Sequence, residues 1–576
     1  MDAFILSIDQ GTSGTKAMIF DRSGSVAASA YCKVTPYYPQ PGWVEQDANE
    51  IWEKTIQAVQ EAIKNARILP EDIQGIGITN QRASTVLWNK LSGAPLGRAI
   101  IWQDRRTQKI CEQIESQDRK EIERKTGITL VPNASSTKIK WLLEEDRTVQ
   151  KALSRGELLF GTIDSWLIWK LSGGLVHVTD HSNASTTGML NAETLKYDEW
   201  ILEKFGIPLN ILPGLKSSSE VYAHTDPQIF FGAKIPISGC AGDQSAAAFG
   251  QACFKTGMIK NTYGTGAFTV LNTGEQFHTP QEGIIAPVLW TVKGHTTFGL
   301  EGYADVSGAV LQWLHEGVEL IKDPADADGL AMQVTDTQGV YFVPALVGLG
   351  APHHSPNARG TIFGIHPGTT KSHITRAAIE AMAYQTRDSF ECIETCYGMK
   401  FQTLRADGGG AKSDFLLQFQ ADILGLPVER PVIAETSSLG AAFLSGLAIR
   451  FWGSMEELAA IWKLDTRFEP RITQAKREDL YAGWLQAVEC AKSWGDGAKS
   501  GETTKSPGKF NSLSPREHEV VRFIASGKST HEIAQLLYTS HKTVEKQRHN
   551  AMKKLGVNNL AGLIRLYIEM GTNREN

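Results

Sequence analysis

Four stretches of this chain combine glycine and other small residues, most of them beside a charged side chain. Asp9-Gln10-Gly11-Thr12-Ser13-Gly14-Thr15-Lys16 surrounds a turn with hydroxyls and a cation. Ser238-Gly239-Cys240-Ala241-Gly242-Asp243-Gln244-Ser245 sets one carboxylate among residues too small to hold a ligand away. Tyr263-Gly264-Thr265-Gly266 and Asp407-Gly408-Gly409-Gly410-Ala411-Lys412-Ser413 are two further open loops. Backbone amides in such turns can close on phosphate oxygens because no Cβ stands in between. Asp9, at the end of a predicted strand, is a candidate for holding hydrated Mg²⁺. Together the loops suit a nucleotide held between two lobes. The pattern is not a Walker A loop: G-x-x-x-x-G-K-[ST] occurs nowhere, and Gly527-Lys528-Ser529 has Arg522 at the required earlier glycine.

The elements that must carry these loops are legible in outline. Strands are predicted over 3–8 and 17–20 on either side of the first loop, then a helix over 49–66 and strands over 75–79 and 85–88. Strand, glycine turn, strand recurs over 258–262, 263–266 and 267–271, about 250 residues later. That repetition predicts two related α/β domains. Apolar residues are 41% and charged ones 21% of 576, which excludes a disordered or fibrous chain. Seven scattered cysteines without a CxxC pair argue against a disulfide framework or zinc site, and Cys392 and Cys396 are the only pair at suggestive spacing. No signal peptide or membrane span is expected, and a cytoplasmic location is.

Lys492 to Asn511 is rich in Gly, Ser, Thr, Lys and Pro, and reads as a flexible linker over 492–511. The C-terminal segment differs in charge: ten Lys/Arg against six Asp/Glu from Asn511 onward, in a chain whose net charge is −5. Ser514-Pro515-Arg516-Glu517 is a capping-box start, with Pro at the first helical position. Further helices are predicted over 530–537, 541–555 and 560–570. The helix over 541–555 carries Lys542, Lys546, Arg548, Lys553 and Lys554 against Glu545. Such a basic helix suits phosphate contacts and groove entry.

Longer runs make a resemblance specific. Residues 3–490 resemble the FGGY carbohydrate kinases, the glycerol kinases most of all, on an ordered series of matches. These include Gly77-Ile78-Thr79-Asn80-Gln81-Arg82, Trp102-Gln103-Asp104-Arg105-Arg106-Thr107, Gly161-Thr162-Ile163-Asp164-Ser165-Trp166, Gly242-Asp243-Gln244 and Asn261-Thr262-Tyr263-Gly264-Thr265-Gly266. The resemblance implies an α/β fold of two ribonuclease H-like (actin-like ATPase) lobes around a cleft, over 1–250 (substrate side) and 251–491 (nucleotide side). It implies ATP and Mg²⁺ as cofactors, Asp243 as general base, and Asp9 with Asp243 at the metal. Thr12, Ser13, Gly14 and Lys16 would face the phosphates; Thr265, Gly308, Gln312, Gly409 and Ser413 would hold the rest of the nucleotide. Arg82, Trp102, Asp243, Gln244 and Phe268 would border the substrate.

Two departures bear on that substrate. Glycerol kinases of this pattern follow Gln-Arg with a glutamate, where this chain has Ala83, and carry a tyrosine where it has Asn133. A methyl group cannot accept a hydrogen bond, so selectivity is expected to change. Asp104 is the candidate replacement acceptor, in a W-x-D-x-R pattern found in sugar kinases of the family. The expected reaction is phosphorylation of a polyol or sugar hydroxyl, with glycerol leading and a larger polyol or ketose as alternative substrate. Residues 512–576 resemble the LuxR-type helix-turn-helix on Leu513-Ser514-Pro515-Arg516-Glu517, Glu532-Ile533-Ala534, Thr543-Val544 and Lys554-Leu555. That implies an all-α module binding double-stranded DNA through Lys542, Thr543, Lys546, Arg548 and Lys553, within at least a dimer and with 560–570 a candidate dimer face. A catalytically weak kinase fold retained as a ligand sensor for transcription is the competing expectation.

Overall fold

A sheet of thirteen strands is the backbone of the larger of two units, residues 1–495 and 496–576. The computed structural model describes residues 3–353, 355–499, 514–525, 528, 530–537 and 539–555. One half of the sheet is built from Phe4–Gln10, Gly14–Phe20 and Val26–Lys33, mutually antiparallel, with Ile73–Asn80 and then Pro236–Gly242 added parallel on the other side. The second half repeats this arrangement. Ile259–Tyr263, Ala267–Gly274 and His295–Ala304 form the antiparallel trio, and Leu404–Asp407 and Val428–Pro431 add in parallel. The duplication predicted from two glycine hairpins is thus a duplication of strand order and direction. The halves are joined through the short pairing of Ser219–His224 with Val288–Val292.

Local chemistry accounts for the elements. Ile5, Leu6, Ile8, Ile76, Ile78, Ile237 and Cys240 are buried on strands covered on both faces, as parallel sheets require. Helix Ala48–Ala66 starts at Asp47, whose carboxylate accepts from the amides of Asn49 and Glu50, and stops where Arg67 turns left-handed at φ 58°. Helices Asp243–Gly250 and Thr436–Ala448 follow equivalent strands in the two halves and pack on each other. Glycines permit this approach: a Cβ on Gly440 would run into the Ala246 carbonyl, and one on Gly250 into that of Thr436.

Helix Gln474–Lys499 crosses the boundary expected at 492. Trp484, Ala487, Val488 and Ala491 recur at helical spacing and are buried, so packing carries the helix into a stretch whose composition suggests a tether. Trp452 and Trp484 are fully buried, whereas Trp313 and Trp462 are half-buried. No helix among the described residues is long and apolar enough to cross a membrane.

The smaller unit holds helices Pro515–Ala525, Thr530–Leu536 and His541–Leu555. The capping box forms as spaced: the Ser514 amide donates to Glu517 Oε2 at 2.7 Å, and the Glu517 amide to Ser514 Oγ at 3.2 Å. Val520, Val521, Ile524, Ile533, Ala534, Val544 and Ala551 form its core. The helix expected over 560–570 lies outside the described residues.

Candidate functional site

Asp243 stands where strand Pro236–Gly242 gives way to helix Asp243–Gly250. Its two oxygens are treated differently. Oδ1 accepts from Arg82 Nε at 2.9 Å and from the Gln244 amide at 2.7 Å, whereas Oδ2 has no hydrogen bond among the described residues. The side chain is 33% exposed. Arg82 follows the neighbouring parallel strand and spends its two terminal nitrogens on Glu301, at 2.8 and 2.6 Å. Glu301 is buried on His295–Ala304, in the other half of the sheet. Burial works against the guanidinium's charge, but Glu301 and then Asp243 more than offset it and hold its pKa above the ordinary value. Gly242 is required here, because a Cβ would lie 2.6 Å from the Arg82 stem.

The first glycine hairpin lies at the end of the adjoining strand. Asp9 and Lys16 are register partners across it. Lys16 Nζ pairs with Glu435 at 2.6 Å, and Ser438 Oγ donates to Asp9 Oδ2 at 3.2 Å. Burial, then Glu435, then Asp243 push the Asp9 carboxyl up to about 7, against the pull of Lys16 and Ser438. Carboxylates gathered so that one of them resists ionising, with the local cation already paired, are a donor set suited to a hard divalent ion. The residues present therefore fit Mg²⁺. Thr12 Oγ1 accepts from Trp102 Nε1 at 2.8 Å, which ties the hairpin to a residue expected at the substrate, and Ser13 is exposed beside it. Gly14 is needed for packing, since a Cβ would meet the Tyr31 ring at 2.7 Å.

The loops expected at the nucleotide come together in the second half. Backbone bonds run from Gly308 N to Gly264 O and from Ser307 N to Thr265 O, at 3.0 and 2.8 Å. A Cβ on Gly308 would lie 2.6 Å from the Gly264 carbonyl, whereas one on Gly409 would meet nothing. Open space at Gly409 leaves its backbone approachable. Gln312 is engaged by Glu316. Ser413 caps helix Asp414–Leu424 through the Leu416 amide and donates to Asp328 at 2.6 Å, so its hydroxyl is committed to structure.

Among the residues expected at the substrate, Trp102 and Phe268 meet edge-on at 6.5 Å between centroids, and Phe268 stacks on Tyr303. Gln244 is buried and accepts from Lys260, which also donates to Thr262 Oγ1 at 2.7 Å. The expectation for Asp104 is corrected. It is 1% exposed, its oxygens accept from the Val44 amide and from Arg106 at 2.6–3.0 Å, and Arg106 is itself stacked on Trp43 and paired with Glu45. A carboxylate so saturated has no acceptor to offer a substrate; it holds Arg106 in place. Ala83 is buried at a left-handed φ of 56°, and its carbonyl accepts from Lys138 Nζ at 2.9 Å and Ser135 Oγ at 3.1 Å. Burial pulls Lys138 down to about 7. Asn133 is half-buried nearby in sequence.

Glu301, Glu435 and Lys260 escaped the sequence reading. Each lies outside a glycine loop, and nothing in its neighbours signals a role. Other suggestive groups are structural. His353 bonds Asp388 at 2.8 Å, and Asp388 also takes the Tyr481 hydroxyl and Trp484 indole. Asp164, Asp180 and Cys240 form one compact buried group, but Thr162, Thr179, Ser182, Asn183 and Ser218 already satisfy the carboxylates. In the smaller unit Lys542, Thr543, Lys546 and Lys553 are exposed on helix His541–Leu555 and Arg548 is half-exposed, while Lys554 is drawn to Glu517 at 2.7 Å.

Residues 4–250 match the N-terminal domain of the FGGY family of carbohydrate kinases, and residues 259–449 its C-terminal domain. Residues 511–567 match the luxR family of bacterial regulatory proteins. The chain is 48% identical over 495 residues to a glycerol kinase of Geobacillus sp. (strain WCH70) and equally to one of Thermus thermophilus, each match spanning 86% of this chain and 100% of the relative. Among solved structures, Plasmodium falciparum glycerol kinase with ADP superposes with a TM-score of 0.79 at 33% identity, over 85% of this chain and 98% of that one. A gluconate kinase of Lactobacillus acidophilus shares the fold, with a TM-score of 0.75 at 23% identity over 85% and 99%.

Proposed function

Since the chain belongs to the FGGY family of carbohydrate kinases and carries a luxR-family segment, we propose that it phosphorylates a small polyol, glycerol first, from ATP, and binds double-stranded DNA through its C-terminal helices. The observation that supports the chemistry best is the asymmetry of Asp243: Oδ1 is pinned by Arg82 and the Gln244 amide, while Oδ2 has no hydrogen-bond partner among the described residues. A free, partly exposed carboxylate oxygen can take the proton of an attacking hydroxyl.

In this reading Arg82, Trp102, Gln244 and Phe268 border the alcohol. Thr12, Ser13, Gly14 and Lys16 receive the phosphates, and Thr265, Gly308, Gln312 and Gly409 the remainder of the nucleotide. Ser413 contributes through its loop. Asp9, with Asp243 and Glu435, would hold Mg²⁺, which neutralises phosphoryl charge when bound. Phosphoryl transfer asks chiefly for alignment and charge neutralisation, and these loops supply both. Lys542, Thr543, Lys546, Arg548 and Lys553 would meet DNA in a protein that is at least dimeric and cytoplasmic.

The test is ADP release from a panel of glycerol, larger polyols and ketoses. Asp243→Ala should lower kcat by about 100- to 10,000-fold, the usual worth of a general base. Turnover with none of these alcohols, by a folded chain, would refute the activity and favour a ligand sensor that governs transcription.

A further inference from the structure

Two carboxylates compete for one guanidinium at this site. Left to itself, an arginine meets a carboxylate as a fork, with two parallel N–H donors on two oxygens. Arg82 gives that fork to Glu301 and reaches Asp243 only edge-on, through Nε. Burial explains the choice. Glu301 is 2% exposed and Asp243 33%, so Glu301 loses more if left without donors.

We infer that Glu301 is a positioning residue for the base: by occupying both terminal nitrogens of Arg82, it confines the guanidinium to Oδ1 of Asp243 and leaves Oδ2 open to the substrate hydroxyl. The inference rests on Asp243 being the base, as proposed above. Glu301 lies on strand His295–Ala304, two residues before Tyr303, whose register partner is Phe268, whereas Arg82 and Asp243 follow strands of the first half. The base is therefore set by a contact between the halves, and its geometry depends on how they seat. Without the Glu301 carboxylate, Arg82 is free to turn its fork onto Asp243 and tie up both oxygens.

A double-mutant cycle tests this on the full chain, with the polyol that the wild type turns over best. Glu301→Gln should lower kcat at least about tenfold, with the KM for ATP within about twofold. In an Arg82→Gln background the same substitution should change kcat by less than about twofold, since no guanidinium remains to be held. The doubly substituted chain pairs two uncharged amides, and Glu301→Asp supplies a second single variant should Glu301→Gln fail to fold. Equal losses in both backgrounds or an unchanged kcat would overturn the inference while leaving the kinase reading intact. A folded wild type that releases no ADP with any alcohol would remove both.

Discussion

Nζ of Lys16 lies 2.6 Å from Oε1 of Glu435, so the cation of the first glycine hairpin is paired with the residue that precedes helix Thr436–Ala448. The two side chains are 29% and 43% exposed, and such a pair is worth little to stability, about 0–1 kcal/mol. Its consequence is electrostatic. In the proposed reading a nucleotide phosphate would draw Lys16 from Glu435 and leave Glu435 to join Asp9. Lys16→Met should therefore weaken ATP, raising its KM on the order of tenfold through loss of one charge-assisted contact, and leave the KM for the alcohol nearly unchanged. Steady-state kinetics with both substrates varied would check the split; an equal rise in both constants would count against a phosphate role.

Asp9 gives a pH prediction. Its folded-state pKa, about 7, lies above the ordinary 3.8, so the folded chain holds the extra proton between those values and stability falls as pH rises through that window. Asp9→Asn removes the penalty. Without divalent ions, the substituted kinase unit should melt about 2 °C or more above wild type at pH 8, and level with it at pH 4, by scanning calorimetry. The same substitution should abolish Mg²⁺-dependent stabilisation. A Tm difference that ignores pH would mean that burial and the carboxylate neighbours do not hold the Asp9 carboxyl up.

Position 83 tests selectivity. Lys138 is buried with its amine on the Ala83 carbonyl, and burial brings it down to about 7. Ala83→Glu adds a carboxylate next to Arg82 in the chain. The ratio of kcat/KM for glycerol to that for a larger polyol or ketose should rise by about tenfold or more, because a pocket that gains a hydrogen-bond acceptor for one hydroxyl pattern penalises the others. An unchanged ratio would place the discriminating contact elsewhere.

The basic helix predicts a separable function. Lys546 is exposed on helix His541–Leu555, so Lys546→Ala should weaken DNA binding across sequences and reduce the salt slope of log K by about one. Kinase turnover should be untouched. Fluorescence anisotropy at several salt concentrations would read the slope, and unaltered binding would exclude a phosphate contact at this residue.

Much of this protein is written locally. Glycine hairpins, the capping box of Ser514 and Glu517, the helix predicted over 49–66 and the basic run after His541 each depend on residues a few positions apart, and the structure places them as spaced. The doubled strand order follows from two such hairpins, because each starts an antiparallel trio that a parallel crossover completes. Asp104 shows where local reading stops: its motif suggested a pocket acceptor, but whether a carboxylate is free depends on what packs against it, here Val44 and Arg106. Glu301 and Glu435 make the same point from the other side. A strand glutamate and a residue ahead of a helix carry no distinguishing spacing, and they reach Arg82 and Lys16 only because the sheet order and the packed helices bring distant segments together. Sequence determined which groups could do chemistry; which oxygens remain free to do it was decided by tertiary contacts, since hydrogen-bond saturation is a property of neighbours in space.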